Sequence, residues 1–518
     1  MTSNSMHVSD KNIPGIVIAG LKGGTGKTVI SLGITAAWRT LDINVAPFKK
    51  GPDYIDAGWL AQAAGRPCYN LDTFLCSTEQ TLHTFHNHTQ NSDIALIEGN
   101  RGLYDGIDTD GRTSTAEIAK LLNLPVLIVL DCTKSTRTMA ALLMGCLHFD
   151  PHVNIMGVIL NQVAGKRHEG KVRDNIKQFC NIPVFGSVPK LTSDDFPERH
   201  MGLVPSAEHE LAIESLEAAS KVASQYIDLD TLYKSCIRIS EEIFPESANL
   251  AVSNVVPTCE KTQPILFNKQ LDKKCQPPQS DPDFKPPKGA DLNSQEKNTS
   301  PHNKTPVIGI IKDSAFQFYY PDNLEALEAR GAQLEYISPL SQQTIPDVDA
   351  IYMGGGFPET HAAQLAENES FRKAMKALAI KGLPIYAECG GLIFLGKNLT
   401  LNGRTYPMTD ILPLNFGLSK RPVGHGYTTV EVVNPNPFYE VGQILRGHEF
   451  RYSSVIDIDY KDSDMAFVMQ RGKGIIHKKD GFFKENVFGT YTHILAASTP
   501  EWADAIVRNA LKYMKNKS

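Results

Sequence analysis

The stretch IVIAGLKGGTGKT, residues 16–28, constrains the fold of this chain more than any other feature. A run of β-branched residues enters a glycine-rich turn, and a helical pattern follows from Lys27. Such a turn offers backbone N–H groups and the positive end of a helix to phosphate oxygens. The predicted nucleotide-binding residues are Gly23, Gly24, Thr25, Gly26, Lys27 and Thr28.

The details of this loop predict ATP use but leave the reaction open. Lys27 is expected to reach the β and γ phosphates, and the Thr28 hydroxyl is expected to bind Mg²⁺. Leu21 occupies the first glycine position of the strict pattern, and Gly20 supplies the turn instead. Lys22 gives the variant KGGTGKT, which is typical of an ATPase class with partitioning proteins and amide-forming enzymes among its members.

Length and patterning predict two α/β domains. With 518 residues the chain exceeds the size at which one core stops growing, roughly 250–300 residues. Over 13–245 short β-branched runs alternate with helical stretches, which is typical of a doubly wound parallel sheet, and the alternation resumes over 306–516. The intervening 246–305 is rich in Pro, Lys, Asp and Asn and predicts a flexible linker.

Composition argues against several classes of protein. A net charge of −5 disfavours a general role in binding nucleic acid. No apolar run reaches about 18 residues, and the N-terminus lacks the apolar core of a signal peptide, so we expect a cytoplasmic protein without a membrane partner. Nine cysteines without a CxxC pair favour reduced thiols over disulfides or a zinc site.

Polar residues close several predicted strands of the first half. Glu98 ends ALIE and is predicted to hold Mg²⁺ together with Thr28 and Asp53. Asp105 follows in a glycine-bounded turn, where ordinary Asp-Gly turn chemistry is the alternative. Asn161 ends GVILN, where it either recognises adenine or makes a local hydrogen bond.

The loop FKKGPDYID, residues 48–56, also follows a strand. Lys49 and Lys50 can bind an anionic substrate beside the nucleotide, and Asp53 can hold a metal there. Arg101 is a further candidate for substrate charge. A solvated charged loop is the alternative interpretation.

The second half contains the elements of an acyl-transfer site. YAECGGLIFL predicts a strand, a sharp turn and a helix, which would expose Cys389 at the edge of the sheet. His493 closes the late strand of NVFGTYTH and is the candidate base. The predicted oxyanion donors are the N–H groups of Gly355, Gly356 and Gly390.

With these motifs in one order, the chain resembles the cobyrinic acid or hydrogenobyrinic acid a,c-diamide synthase family of glutamine-dependent tetrapyrrole amidotransferases. The resemblance rests on FKKGPDYID, EGNRGLYDG, GVILNQV, GGGFPE, YAECGG, RGHEFRYS and YTHILAAS. It implies a dethiobiotin-synthetase-like domain joined to a class I glutamine amidotransferase domain. The implied reaction is ATP- and glutamine-dependent amidation of the a and c acetates of a tetrapyrrole through an acyl phosphate, as in cobalamin biosynthesis.

The resemblance also implies residue roles. Cys389 would be the glutaminase nucleophile and His493 its base, and a Cys/His dyad is implied because Leu495 stands where class I glutaminases carry a glutamate. The implied magnesium and acyl-phosphate residues are Asp53, Glu98 and Asp105. The substrate residues are Lys49, Lys50, Tyr54, His448 and Glu449, of which the last two line either the tetrapyrrole site or the domain interface.

Other functions stay open at the level of the sequence. Related enzymes amidate sirohaem or nickel-sirohydrochlorin by the same mechanism, and Lys50 and Arg451 depart from the residues common in corrin enzymes. An ATP-driven switch of the partitioning type is the rival from another class, and Lys22 supports it. The sequence leaves the oligomeric state open, with a homodimer as one alternative.

Overall fold

The computed structural model describes residues 13–191, 212–243, 305–458 and 460–517. The described residues before and after the predicted linker belong to one compact unit. The linker 246–305 lies outside the described residues except for Thr305, so its flexibility stays a prediction. No helix in the described part of the chain is both long and apolar enough to cross a bilayer.

The described residues of the first half form a sheet of seven strands that are all parallel, which confirms the predicted doubly wound sheet. The strands are β1 Gly15–Gly20, β2 Val45–Lys50, β3 Tyr69–Leu71, β4 Ile94–Glu98, β5 Val126–Asp131, β6 Ile155–Val163 and β7 Val184–Pro189. Their order is β3-β2-β4-β1-β5-β6-β7. The short β3 and the edge strand β7 were missing from the prediction, because neither has a long β-branched run.

Helices cover both faces of this sheet. They are α1 Lys27–Thr40, α2 Ile55–Ala64, α3 Thr78–Thr89, α4 Thr115–Leu121, α5 Arg137–Phe149, α6 Lys166–Phe179, α7 Ala212–Tyr226 and α8 Leu229–Ile243. In β1, Ile16 and Ile18 pack toward α1, α2, α7 and α8, whereas Val17 and Ala19 pack toward the helices α3 to α6. A strand buried on both faces must be apolar at every position, which explains the continuous run GIVIAG.

The second half has a ten-stranded mixed sheet and a four-stranded sheet. The strands are β8 Val307–Ile311, β9 Gln333–Ile337, β10 Ala350–Met353, β11 Ile385–Glu388, β12 Asn398–Leu401, β13 Arg404–Pro407, β14 Leu414–Leu418, β15 Gly424–Val432, β16 Ile444–Arg451, β17 Ser453–Ile458, β18 Met465–Arg471, β19 Lys479–Lys484, β20 Val487–Thr490 and β21 His493–Ile494. The larger sheet has the order β21-β16-β15-β18-β19-β20-β11-β10-β8-β9, and the smaller has the order β13-β12-β14-β17.

Five helices complete the second half: α9 Pro321–Ala329, α10 Ala362–Glu367, α11 Glu369–Ile380, α12 Gly390–Leu395 and α13 Pro500–Lys517. The strand predicted over NVFGTYTH is two strands, because the chain leaves β20 at Tyr491 and Thr492 and rejoins the sheet beside β16. Buried Asp480 causes this break. Its carboxylate accepts hydrogen bonds from the N–H groups of Tyr491 and Thr492.

The carboxyl ends of the parallel strands position the candidate site residues. In the first sheet, β1 runs into the glycine-rich loop, β2 ends at Lys50 and β4 ends at Glu98. In the second sheet, β10 runs into the glycines that follow Met353, and β11 ends at Glu388 directly before Cys389. Ligands of open α/β sheets bind at this edge.

Candidate active site at the junction of the two sheets

The glycine-rich loop has the backbone that its sequence predicts. Gly24 and Gly26 have φ values of 74° and 87°, which disfavour other residues, and Gly26 caps α1. The Asn161 amide donates to the carbonyl of Thr25 at 2.8 Å, and its oxygen accepts from the N–H of Gln162. Asn161 therefore contacts the glycine-rich loop from β6, and its recognition of adenine stays a prediction.

Lys27, Thr28 and Glu98 come together behind the loop. The Lys27 ammonium donates to the carbonyls of Arg101 at 2.8 Å and Lys22 at 3.3 Å. The Thr28 hydroxyl donates to Oε1 of Glu98 at 2.8 Å, which joins the first turn of α1 to the end of β4. The Lys22 side chain, in contrast, is two-thirds exposed and pairs with Asp131.

Lys49 is buried beside this group. Its side chain is 2% exposed, and its ammonium contacts the carboxylates of Asp56 and Glu98, the latter at 2.9 Å. Although burial lowers the pKa of Lys49, these charge pairs outweigh burial and raise it well above its ordinary value. In the structure Lys49 pairs with carboxylates inside the protein and is not among the residues that line the cavity described below, so its contact with a substrate stays a prediction.

The surroundings of Glu98 fit a divalent cation. Its Oε1 is used by Thr28 and Lys49, whereas the buried Oε2 has no hydrogen-bond partner. Burial raises the pKa of Glu98, and burial together with the neighbouring Asp56 raises the pKa of Asp53. A cation held by Glu98, Thr28 and Asp53 would satisfy the free oxygen and stabilise both charged carboxylates.

No cluster of three or more metal-binding His, Cys, Asp or Glu side chains exists among the described residues. Mg²⁺ takes one or two carboxylates from a protein and completes its shell with phosphates and water. Asp105 makes the turn contact that Asp-Gly chemistry predicts, and its magnesium and acyl-phosphate role stays a prediction. Its Oδ2 accepts from the N–H of Gly102 at 2.9 Å within the turn, and the residue also borders a cavity described below.

Cys389 sits on a strained turn between β11 and α12. Its φ of 47° and ψ of −97° are unfavourable for a residue with a side chain, at a cost of about 1–3 kcal/mol. The N–H of Cys389 is held by the carbonyl of Thr490 at 2.8 Å. This geometry matches the sharp strand-to-helix turn that presents a nucleophile at the edge of a sheet.

The predicted oxyanion donors lie around this turn. A Cβ added to Gly390 would come within 2.9 Å of the backbone nitrogen of Gly356, so these two backbones are in close contact. A Cβ added to Gly355 would lie 2.7 Å from Cε1 of His493. Glycine at these positions therefore lets the end of β10 pack against both Cys389's turn and the imidazole.

Replacing Gly355 with alanine is expected to displace the His493 ring and to slow glutamine hydrolysis by up to about 10²-fold, the scale of a 1 Å misplacement. Glutamate release measures this effect. Gly145→Ala is the matched control, because a Cβ at that helical position meets no atom within 4 Å. Equal hydrolysis rates in the two variants would contradict the expectation.

His493 contacts two partners in the second half. Burial alone would lower its pKa, but hydrogen bonds with the Cys389 thiol and the Glu388 carboxylate outweigh burial and raise the pKa to about 10. Nδ1 of His493 lies 3.1 Å from Oε2 of Glu388. No sequence motif indicated this contact with Glu388, because the glutamate of class I glutaminases stands at the position of Leu495.

An aromatic cluster joins the two halves beside His493. The Tyr54 ring, from the FKKGPDYID loop, lies 5.4 Å from the imidazole of His493 and 5.5 Å from that of His448. It also packs on Phe318 and Tyr320 at 5.3 Å and 4.5 Å between ring centroids. The loop that carries Asp53 is thus in contact with the candidate base of the other half.

A cavity of about 530 Å³ opens at this junction. Residues of both halves line it, including Lys50, Asp53, Asp105, Tyr427, His448 and His493. Among predicted substrate residues, Lys50, Tyr54, His448 and Glu449 border this cavity, as does Arg101. Arg471, at the end of β18, adds a positive charge that no sequence motif indicated.

Glu449 and Arg451 have their polar groups engaged inside the protein. The carboxylate of Glu449 accepts from the N–H groups of Lys473 and Gly474, and the Arg451 guanidinium lies 3.8 Å from the centre of the Tyr491 ring. Both side chains are almost fully buried. Their contacts hold the loop after β18, and Glu449 also borders the cavity, so its place at the tetrapyrrole site or at the domain interface stays a prediction.

Both halves of the chain are similar to known proteins. Residues 16–204 match the model of the CobQ/CobB/MinD/ParA nucleotide binding domain, and residues 307–501 match that of the CobB/CobQ-like glutamine amidotransferase domain. A cobyrinate a,c-diamide synthase of Magnetococcus marinus is 36% identical over 96% of this chain and 97% of its own length. The enzyme of that name from Archaeoglobus fulgidus is 34% identical over 98% of this chain and 100% of its own length. That of Methanobrevibacter smithii is 34% identical over 96% of this chain and 98% of its own length.

Proposed function

Because the chain belongs to the cobyrinate a,c-diamide synthase family, we propose that it amidates the a and c acetates of cobyrinate with ATP and glutamine. The observation that carries this proposal is the shared cavity. Asp53 and Lys50 from the nucleotide-binding half and His493 from the glutaminase half border the same space. A substrate in that space is within reach of both chemistries.

The first half activates the carboxylate. A carboxylate reacts poorly with ammonia because its oxygen is a poor leaving group, and transfer of the γ-phosphoryl group of ATP converts it to an acyl phosphate. Lys27 and the loop N–H groups stabilise charge on the phosphoryl oxygens. Glu98, Thr28 and Asp53 would hold Mg²⁺, which neutralises phosphate charge when it is bound.

The second half supplies ammonia. Cys389 attacks the side-chain amide of glutamine, and the N–H groups of Gly390 and Gly356 stabilise the tetrahedral oxyanion. His493 protonates the departing nitrogen, which leaves a glutamyl thioester that water then hydrolyses. Because His493 borders the cavity that Asp53 and Lys50 also line, ammonia is released beside the proposed site of the acyl phosphate.

The walls of the cavity suit a flat macrocycle with many carboxylates. Lys50, Arg101 and Arg471 bring positive charge to it despite the acidic balance of the whole chain. Phe318, Tyr427 and Phe450 bring aromatic faces. This combination supports a tetrapyrrole polycarboxylate as the substrate and explains why the charged residues are local.

The remaining features of the proposal concern location and assembly. The reaction uses ATP and glutamine, which are cytoplasmic metabolites, and needs neither nucleic acid nor a membrane. A homodimer stays a prediction. The partitioning-type switch, which Lys22 suggested, accounts for neither the glutaminase half nor relatives that match nearly the whole chain.

Product analysis tests the substrate. With ATP, Mg²⁺ and glutamine labelled at its amide nitrogen, we expect cobyrinate to gain two labelled nitrogens, detected by mass spectrometry. Sirohaem and nickel-sirohydrochlorin serve as parallel substrates, and omission of ATP is the control. Amidation of either parallel substrate in preference to cobyrinate would replace cobyrinate in the proposal with that tetrapyrrole.

A further inference from the structure

We infer that Glu388 is a positioning residue that orients His493 and completes a Cys–His–Glu triad in the glutaminase site. This inference rests on the proposed glutaminase function of the second half. The usual glutamate, two residues after the histidine, is replaced by Leu495 in this chain. The carboxylate comes instead from the residue that directly precedes the nucleophile.

Both oxygens of Glu388 are directed at the strand that carries the base. Oε2 lies 3.1 Å from Nδ1 of His493, and Oε1 accepts the N–H of Ile494 at 3.2 Å. The Glu388 side chain is fully buried, and the hydroxyl of Tyr352 lies 3.5 Å from Oε2. These contacts fix the carboxylate although Glu388 and His493 are 105 residues apart in the chain.

This contact decides which nitrogen of the imidazole faces the thiol. With Nδ1 donating to Glu388, Nε2 is left for the proton of Cys389. The glycines at the end of β10 lie on that side, since a Cβ on Gly355 would come within 3.4 Å of Nε2. The ring is therefore oriented by a carboxylate on one edge and faces the oxyanion donors with the other.

Charge supports the same role. A buried carboxylate is costly unless it is paired, and His493 is the one cationic side chain within ion-pair distance of Glu388 in the described part of the chain. Glu388 and the Cys389 thiol together favour the imidazolium form of His493. An imidazolium beside the thiol is the form that stabilises the reactive thiolate.

The other titratable groups that face His493 do not provide this charge. The imidazole of His448 is stacked on it at 4.8 Å, but burial and the charge of His493 lower the pKa of His448 well below its usual value, so His448 is neutral. The phenol of Tyr54 is also neutral, because burial raises its pKa well above the ordinary value. Glu388 is thus the anionic partner of the base.

The surroundings of Leu495 explain why a carboxylate is unfavourable at that position. Leu495 is 1% exposed and packs in a cluster with Leu75, Cys76 and Tyr320, which joins the two halves. A glutamate there would place a charge among apolar side chains of the domain contact. The chain uses that position for packing between its halves, and the base takes its partner from β11.

The test compares Glu388→Gln with the wild type in three measurements. We expect glutamine hydrolysis, followed as glutamate release, to lose roughly 10²-fold to 10⁴-fold in kcat with little change in KM. Ammonia-driven amidation is expected to stay near the wild-type rate. Alkylation of Cys389 by iodoacetamide, followed by mass spectrometry of its tryptic peptide, is expected to slow near neutral pH because less imidazolium stabilises the thiolate.

Glu388→Asp is the second variant, since it keeps the charge on a shorter side chain and is expected to recover part of both glutamine hydrolysis and alkylation. Wild-type hydrolysis and alkylation in Glu388→Gln, or no recovery in Glu388→Asp together with loss of ammonia-driven amidation, would overturn the inference. Hydrolysis and alkylation need no tetrapyrrole. Failure of the proposed substrate would therefore leave this test intact.

Discussion

Replacing Cys389 with alanine is expected to abolish glutamine-driven amidation and to leave ammonia-driven amidation close to the wild-type rate. The loss should be roughly 10³-fold or more, because removing the nucleophile also removes the partner of the base. The ammonia-driven reaction persists because free ammonia enters the cavity and meets the acyl phosphate without the thiol. Initial rates of ADP formation and of amide product, with glutamine or with ammonium salt, measure the two reactions.

Cys180→Ala is the matched control for this variant. Cys180 is half-buried at the end of α6, far along the chain from the turn at Cys389, and removal of its thiol is expected to change neither reaction. An equal loss of glutamine-driven and ammonia-driven turnover in Cys389→Ala would show that the two halves do not divide the chemistry as proposed.

The parts of the site that are local in sequence could be predicted. The glycine-rich loop and the turn at Cys389 each connect a strand directly to a helix. Their geometry therefore depends on residues that are neighbours in the sequence. Positive φ values at Gly24, Gly26 and Cys389 accompany these turns. The parallel direction of the strands in the first sheet could also be predicted, because continuous apolar strands alternate with helices along the chain.

Contacts that depend on packing between distant segments could not be predicted in this way. Lys49 was assigned to substrate because it lies on a charged loop beside the nucleotide, and the sequence did not indicate that its position at the end of β2 beside β4 buries it between Glu98 and Asp56. The sequence likewise did not indicate that the amide of Asn161, at the end of β6, donates to the carbonyl of Thr25 in the glycine-rich loop. Both contacts depend on how the strands are arranged in the sheet.

Glu388 is an intermediate case, because YAECGG places a carboxylate directly before Cys389 but no motif indicated which residue it would pair with. A carboxylate at the end of a buried parallel strand is rare unless it is paired, and this burial could have prompted a search for a cation. The partner of Glu388 is His493, which lies on β21. This strand pairs with β16 at the edge of the ten-stranded sheet and is distant from β11 in the sequence. The partner therefore required the three-dimensional structure.

The contact between Tyr54 and His493 links the two chemistries in the structure. Tyr54 follows Asp53 directly, and its ring packs on the base and on His448 from the other half. Hydrogen bonds from Tyr427 to Asp72 and from Tyr69 to Glu325 join the halves on either side of this contact. A shift of the Asp53 loop would therefore change the contact between the Tyr54 ring and the imidazole of His493.

Replacing Glu98 with glutamine is expected to slow amidation with both nitrogen donors by roughly 10²-fold to 10³-fold, the scale of losing one group that stabilises transition-state charge. The carboxylate is the predicted Mg²⁺ ligand, and its Oε2 is a buried oxygen without a hydrogen-bond partner. Glutamine hydrolysis is expected to continue, because Cys389 and His493 lie in the other half. ADP formation, amide product and glutamate release separate these reactions.

Glu117→Gln is the control, because Glu117 is a partly exposed residue of α4 that pairs with Lys120 and is expected to affect none of the reactions. Unchanged ammonia-driven turnover in Glu98→Gln would remove Glu98 from the synthetase site. Without the Glu98 charge, Lys49 keeps Asp56 and, at 4.0 Å, Asp53 as anionic partners, whereas the predicted cation loses a ligand, so a lower affinity for Mg²⁺ with ATP is expected.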